Sequence, residues 1–160
     1  MEKTAANMTV FHTIAMENIT NPKAMLIELI LTALLLMGVM AMTEPLNTSF
    51  PKGLGAAISV GLLVAGIGSA AGNLTGFAIN PARDFGPKLF TALAGWGKAP
   101  FTAHNYYFWV PIVGPLLGGV IGAFVYKKFI RAYLPDVLKE GKVKEDMLTG
   151  DFLDIQMKKR

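Results

Sequence analysis

The residues with the clearest chemical potential form one short segment in the middle of the chain, Asn80-Pro81-Ala82-Arg83. Asparagine caps the free N–H groups at a helix start and proline is preferred at the first helical position, so a helix should begin here. The positive end of the helix dipole, the Asn80 amide and the Arg83 guanidinium would then converge. All three favour oxygen acceptors and repel cations. This chemistry suits hydrogen bonding to neutral molecules that carry hydroxyl groups, and it implies no enzymatic reaction.

The helix that begins at Asn80 is too short to cross a membrane. From Pro81 to about Leu93 it measures roughly 19 Å at 1.5 Å per residue, whereas a spanning helix needs about 20 residues. The stretch before it, residues 75–79, is irregular and contains glycine. Irregular backbone is tolerated at membrane depth only where it is buried in protein or lines a watery cavity. We therefore expect a re-entrant loop whose free carbonyls, Gly76 and Ala78 among them, accept hydrogen bonds from a permeant.

Three apolar runs must position this segment. They cover Ala24 to Met42, Leu54 to Leu74 and Tyr107 to Tyr126, in a chain of 160 residues that is 52% hydrophobic and 16% charged. Each run has about the twenty residues that cross roughly 30 Å of hydrocarbon. Glu28 is the only Asp, Glu, Lys, Arg or His residue inside them, whereas a soluble amphipathic helix would show charges on every turn. This pattern argues against a soluble helical bundle.

The predicted fold is an all-α membrane protein with three transmembrane helices and one re-entrant half-helix. An extracytoplasmic N-terminal segment covers residues 1–23, a membrane domain covers 24–131 and a basic tail covers 132–160. Within the membrane domain, spans are expected at about 24–43, 54–74 and 106–131, and the half-helix at about 80–93. Because positive residues near span ends stay in the cytoplasm, the basic residues after Tyr126 place the C-terminus there. Residues 43–53 then form a short water-exposed loop.

Other features of the composition narrow the chemistry further. The first twenty residues lack a basic segment followed by an apolar core, so insertion is expected to depend on the first span. The chain contains no cysteine, which rules out disulfides and thiolate metal sites. His12 and His104 stand alone in the sequence and are interpreted as surface residues, not metal ligands. We expect no metal, no cofactor and no nucleic-acid partner.

The segment Gly76 to Pro87, GFAINPARDFGP, resembles the second Asn-Pro-Ala loop of the aquaporin superfamily, specifically of its glycerol-conducting branch. The three apolar runs resemble the fourth, fifth and sixth helices of that fold, so the chain is similar to one half of it. The resemblance implies that Asn80 and Arg83 donate hydrogen bonds to the permeant and that Phe77 supplies the apolar wall of the constriction. It also implies that Glu28 accepts hydrogen bonds from the backbone of the re-entrant loop.

Four positions resemble the glycerol branch more than the water branch. Gly68 stands where water-selective relatives place histidine, and the absence of a side chain would widen the constriction. Asp84, Lys88 and the pair Pro111-Ile112 are the other three positions. Asp84 and Lys88 are also spaced as an i,i+4 pair on the half-helix. We interpret this pair, like Glu28, as structural support.

The resemblance implies a channel module for facilitated diffusion of glycerol, related small neutral solutes and water across the plasma membrane. The fold has two inverted halves, each with three spans and one half-helix, and this sequence contains one Asn-Pro-Ala motif. We therefore expect the lipid-embedded chain to need a complementary half-channel, and the family implies tetramers. An antiparallel homodimer is disfavoured because the basic residues are concentrated after Tyr126.

Two alternatives stay open from the sequence. The first is a non-conducting, truncated membrane subunit that packs with homologous, intact channel protomers. The second is half of an ion-coupled transporter in which Glu28 and Asp84 relay protons. Solute uptake by the chain alone distinguishes the first alternative, and dependence of uptake on a pH gradient distinguishes the second.

Overall fold

The structure is a computed structural model that describes residues 5–45, 47 and 50–134. These residues contain helices and no β-strand. From residue 135 onward, the predicted basic tail lies outside the described part of the chain. The α-helices are α1 (Ala5–Met8), α2 (Asn21–Met42), α3 (Leu54–Thr75), α4 (Pro81–Thr91), α5 (Ala99–Tyr106) and α6 (Val110–Val125).

Three helical stretches of the described chain are long and apolar enough to cross a membrane. They are Asn21–Met42, Leu54–Thr75 and Ala99–Tyr133. The third stretch is composite, because a 3₁₀ turn joins α5 to α6 and a π-helical turn follows α6. Its backbone also leaves helical geometry at residues 103–105. The all-helical fold predicted from the apolar runs is confirmed.

The closest helix pairing in the fold joins α2 to α6 through a row of glycines. Gly114, Gly118 and Gly122 are buried on the face of α6 that meets α2. A Cβ atom at Gly118 would lie 2.3 Å from the Leu29 carbonyl oxygen, and one at Gly122 would lie 2.5 Å from the Ala33 carbonyl oxygen. Small residues at four-residue spacing let two helix backbones approach this closely. Helices α2 and α6 therefore form a tightly packed pair, and α3 packs against α2 and α4 against α6.

The half-helix α4 packs against α6 and α5. It ends as an α-helix at Thr91, and a π-helical turn then continues to Trp96. The neighbouring helix α3 packs on α2, but its apolar side chains face outward: Leu54 is 78% exposed and Leu62 is 67% exposed. A large exposed apolar surface on a folded domain indicates a membrane or a further protein surface beside it.

The prediction that residues 43–53 are water-exposed is wrong at Glu44. This side chain is 7% exposed. Its carboxylate accepts a hydrogen bond of 2.9 Å from the Tyr126 hydroxyl and one of 3.4 Å from Arg131 Nη1. The π-helical turn after α6 lies against α2 and carries Tyr126 over the end of that helix. Turn-forming composition gives no information about such a contact, because its partner is 82 residues away.

Candidate functional site

Asn80 caps the half-helix and leaves its amide nitrogen available. The Asn80 backbone is extended, with φ −151° and ψ 116°, and Pro81 occupies the first turn of α4. Asn80 Oδ1 accepts hydrogen bonds from the backbone N–H of Ala82 at 2.9 Å and of Arg83 at 3.4 Å. Because the side-chain oxygen satisfies these two donors, the amide N–H₂ group faces outward from an exposed residue. The helix start thus presents a donor.

The loop before Asn80 has a left-handed backbone at three positions, Gly76 (φ 79°), Phe77 (φ 58°) and Ile79 (φ 44°). Glycine adopts this region freely, but a bulky or β-branched residue does so only at a cost. The Thr75 carbonyl accepts a 3.0 Å hydrogen bond from the Tyr107 hydroxyl. No donor within the described residues reaches the carbonyls of Gly76, Phe77 or Ala78. Within that part of the chain, these oxygens are free acceptors.

Glu28 holds this strained loop in place. The carboxylate is fully buried on α2. Its Oε1 accepts hydrogen bonds from the Thr75 hydroxyl at 2.6 Å and from the Ala78 N–H at 3.0 Å. Its Oε2 accepts from the Ile79 N–H at 2.7 Å. Because the backbone N–H groups of Ala78 and Ile79 are taken up on this side, Glu28 fixes the loop conformation that leaves the carbonyls free.

Gly68 and Phe77 are brought into direct contact. A Cβ atom at Gly68 would lie 2.9 Å from Phe77 Cε1 and 3.2 Å from Cδ1 and Cζ. These separations are shorter than van der Waals contact, so the aromatic ring occupies the space that a side chain at position 68 would need. The absence of a side chain on α3 therefore determines where the ring of Phe77 lies.

Arg83 lies on the first turn of α4 and is exposed. It lines a cleft of about 180 Å³ together with Gly76 and residues 9–14. The neighbouring Asp84 does not pair with it: Asp84 and Lys88 form an ion pair in which both residues are buried. Arg83 has no ion-pair partner in the described part of the chain. Among the described residues, its positive charge is therefore uncompensated at the cleft.

The N-terminal segment contributes contacts that sequence reasoning missed. Thr13 donates to Asp84 Oδ1 twice, from its backbone N–H at 2.8 Å and from its hydroxyl at 2.5 Å. Lys88 Nζ donates to the Thr13 carbonyl at 3.1 Å. Asp84 and Lys88 are thus an i,i+4 pair that also binds Thr13, which lies 71 positions before Asp84 in the chain. A single threonine in a segment of mixed polar and apolar residues carries no sequence signal for such a role.

The prediction that the two histidines are surface residues is wrong for His12. This residue is 3% exposed, and its Nδ1 lies 3.1 Å from the Thr13 carbonyl. Burial lowers the pKa of His12 because desolvation penalises the charged imidazolium. His104 is half-buried, with Nε2 2.7 Å from the Ile19 carbonyl. No group of three or more His, Asp or Glu residues suited to a metal ion occurs in the described residues.

Comparisons with known proteins find similar sequences among solute uptake facilitators. The chain is 46% identical over 127 residues to the glycerol uptake facilitator protein of Escherichia coli (strain K12), covering 78% of this chain and 45% of that protein. It is 50% identical over 115 residues to the propanediol uptake facilitator PduF of Salmonella typhimurium, covering 71% and 43%. The chain therefore spans less than half the length of these curated relatives.

The fold of the chain is also similar to that of a solved structure. The X-ray structure of the aquaglyceroporin from Plasmodium falciparum matches with a TM-score of 0.70 at 37% identity, covering 75% of this chain and 49% of that one. The model of the family Major intrinsic protein matches residues 1–126. This family consists of membrane channels, not enzymes, and the apolar helices fit a multi-pass membrane protein. The resemblance noted in the Asn-Pro-Ala segment is thereby confirmed, and the chain belongs to the major intrinsic protein family.

Proposed function

We propose that the chain forms one half of a plasma-membrane channel for facilitated diffusion of glycerol, related small neutral solutes and water. One observation carries the proposal: free donors and free acceptors adjoin each other where the re-entrant loop meets α4. The Asn80 amide and the Arg83 guanidinium supply N–H donors, and the carbonyls of Gly76 and Ala78 supply acceptors. The glycerol and propanediol facilitators among the relatives support the same class of permeant.

This arrangement can replace the water around a polyol without holding a charge. Each hydroxyl donates to a main-chain carbonyl and accepts from Asn80 or Arg83, while the carbon skeleton passes along the ring of Phe77. A cation would meet the positive end of the α4 dipole and the uncompensated charge of Arg83, and both oppose its entry. The site therefore favours neutral solutes with hydroxyl groups.

The remainder of the pore is expected to come from a complementary half. The family fold pairs two inverted halves whose half-helices begin near the bilayer midplane. This half would be a separate polypeptide or a further segment of the same one, and it would cover the exposed residues Asn80 and Arg83 from the opposite side. Tetrameric assembly and a cytoplasmic C-terminus belong to the same proposal. The basic residues Lys127 and Lys128 in the π-helical turn after α6 support that orientation.

Stopped-flow glycerol uptake tests the proposal. Liposomes should contain this chain together with the first half of a related glycerol facilitator, and either half alone serves as the control. We expect faster uptake with both halves than in empty liposomes, and no gain with either half alone. No gain with both halves present, at a confirmed level of incorporated protein, would contradict the proposal. That result would favour a non-conducting membrane subunit.

The contact between Gly68 and Phe77 predicts a change in selectivity. Gly68→His should slow glycerol uptake about tenfold while osmotic water permeability changes little, because overpacking of about 1–3 kcal/mol is imposed on the Phe77 ring. The ring must move into the passage or share it with the imidazole. Stopped-flow light scattering measures both rates in the same liposomes.

Gly61→His is the matched control for that variant. It lies on the same helix, α3, and nothing lies within 4 Å of the position a Cβ atom would take. We expect a glycerol-to-water ratio close to that of the parent. An equal loss of glycerol uptake in both variants would show that histidine on α3 perturbs insertion, and the assignment of Gly68 to the constriction would fail.

A further inference from the structure

Three buried residues form a network that links the half-helix to the N-terminal segment. Thr13, Asp84 and Lys88 are at most 3% exposed. Asp84 divides its two oxygens: Oδ1 accepts both hydrogen bonds from Thr13, and Oδ2 pairs with Lys88. Lys88 closes the network by donating to the Thr13 carbonyl. Every polar backbone group of Thr13 is therefore bound by one of the two charged side chains.

The same segment also packs on the re-entrant loop. The Met16 N–H donates to the Leu74 carbonyl at 3.1 Å. A Cβ atom at Gly76 would lie 2.8 Å from Thr13 Cβ and 3.2 Å from the backbone nitrogen of Ile14. Only a glycine leaves room for this approach. The segment is thus held from two sides, by α4 through charged hydrogen bonds and by the loop through close packing.

The segment so held forms one wall of the cleft that contains Arg83. Residues 9–14 supply most of the lining, and Arg83 and Gly76 supply the rest. We call residues 9–14 the entrance segment. Arg83 and Asp84 are consecutive, so Arg83 is turned to the cleft while Asp84 is buried beneath the entrance segment.

We propose that Asp84 and Lys88 are positioning residues that hold the entrance segment beside Arg83 and thereby set the width of the permeant entrance. This proposal rests on the channel function proposed above. The relevant solute class is neutral polyols, and the property controlled is the largest polyol that passes Arg83. Thr13 is the residue through which the pair acts.

The geometry distinguishes this role from that of an ordinary ion pair on a helix. An i,i+4 pair that only supports its own helix needs no burial and contributes little. Here both charges are removed from water, which is costly unless additional hydrogen bonds satisfy them. Those additional bonds all go to Thr13. The hydrogen bonds of the ion pair therefore hold the entrance segment through Thr13.

A labelling experiment tests the anchoring independently of conduction. The chain has no cysteine, so Ala15→Cys introduces a single thiol at a position that is 5% exposed and packed in the core beside Tyr107. The full chain is studied in liposomes with the first half of a related facilitator. Adding Thr13→Val or Asp84→Asn should raise the rate of maleimide labelling about tenfold. Thr13→Val removes the hydroxyl that donates to Asp84, and Asp84→Asn makes the bonds from Thr13 neutral and sets an amide N–H₂ group against Lys88.

Two further variants separate the proposal from a merely structural role. The charge swap Asp84→Lys with Lys88→Asp keeps an ion pair on α4 but cannot accept both hydrogen bonds from Thr13 at position 84, so labelling should stay fast. Thr13→Ser keeps the hydroxyl and should restore protection. Thr91→Val is the matched control, because Thr91 is also buried on α4 but donates only to the Pro87 carbonyl. It should label like the parent.

The transport readout uses the same liposomes without the added cysteine. We expect Thr13→Val and Asp84→Asn to raise the ratio of five-carbon polyol uptake to glycerol uptake, with Thr13→Ser and Thr91→Val unchanged. Restoration of slow labelling and normal selectivity by the charge swap would overturn the proposal, and so would an unchanged ratio in variants that label fast. If the parent channel conducts no glycerol, the proposed function fails, and with it the entrance role. The labelling rates then still decide whether Asp84 holds the segment.

Discussion

Glu28→Ala should abolish glycerol uptake and lower the free energy of unfolding by at least about 3 kcal/mol, because each buried donor left unpaired costs roughly 1–3 kcal/mol. The three donors are the Thr75 hydroxyl and the N–H groups of Ala78 and Ile79. Without the carboxylate, the left-handed backbone at Ile79 loses the contact that holds it. Uptake by stopped flow and unfolding in detergent micelles, followed by circular dichroism, measure the two effects.

Glu28→Gln is the conservative control for that variant. Its amide oxygen can still accept from Thr75 and Ala78, but its N–H₂ group would face the Ile79 N–H, so we expect partial loss of both uptake and stability. A different pattern would contradict the structural role of Glu28. If uptake in the parent depends on a pH gradient and Glu28→Gln abolishes only that dependence, the ion-coupled transporter is the better interpretation.

Gly118→Leu should prevent stable packing of the membrane domain. The added side chain would begin 2.3 Å from the Leu29 carbonyl oxygen and 3.0 Å from Leu29 Cα. Main-chain atoms cannot rotate away as a side chain can, so α2 and α6 must separate. We expect a loss of at least about 3 kcal/mol, at or beyond the upper end of the usual cost of overpacking. Thermal unfolding in detergent and the monodisperse fraction after purification report this loss.

The neighbouring glycine provides a control of the same size. Gly119 lies on the same helix, and nothing lies within 4 Å of its Cβ position. Gly119→Leu should therefore purify and unfold like the parent. Equal destabilisation by the two variants would mean that leucine on α6 is harmful for a reason other than its contact with α2. The role assigned to the close crossing would then be wrong.

The helices could be predicted from the sequence because their signals are local. Apolar runs of about twenty residues, enough to cross the hydrocarbon core of a bilayer, predict the spans. Asn80 followed by Pro81 predicts the start of the half-helix. Their arrangement followed from the resemblance carried by residues 76–87, which the family match confirms. Periodicity alone would have left the order and pairing of the helices undetermined.

The contacts that the sequence did not reveal join residues far apart in the chain. Thr13 donates a hydrogen bond to Asp84, and Tyr126 donates one to Glu44. The sequence around each of these residues contains no pattern that predicts its distant partner. Burial of a polar side chain is decided by what packs over it. His12 shows the same limit, since it stands alone in the sequence and was therefore expected at the surface, whereas the fold buries it.

The acceptors of the re-entrant loop are main-chain atoms, and this limits how mutation can retune the protein. No single substitution at Gly76 or Ala78 deletes a carbonyl, so a screen of random variants for altered solute range should return few changes there. The φ of 58° at Phe77 further restricts that position, because β-branched residues fit the left-handed region poorly. Substitutions that adapt the protein to new solutes should therefore occur mainly at position 68. There the glycine contacts the Phe77 ring, and any added side-chain atom would displace that ring.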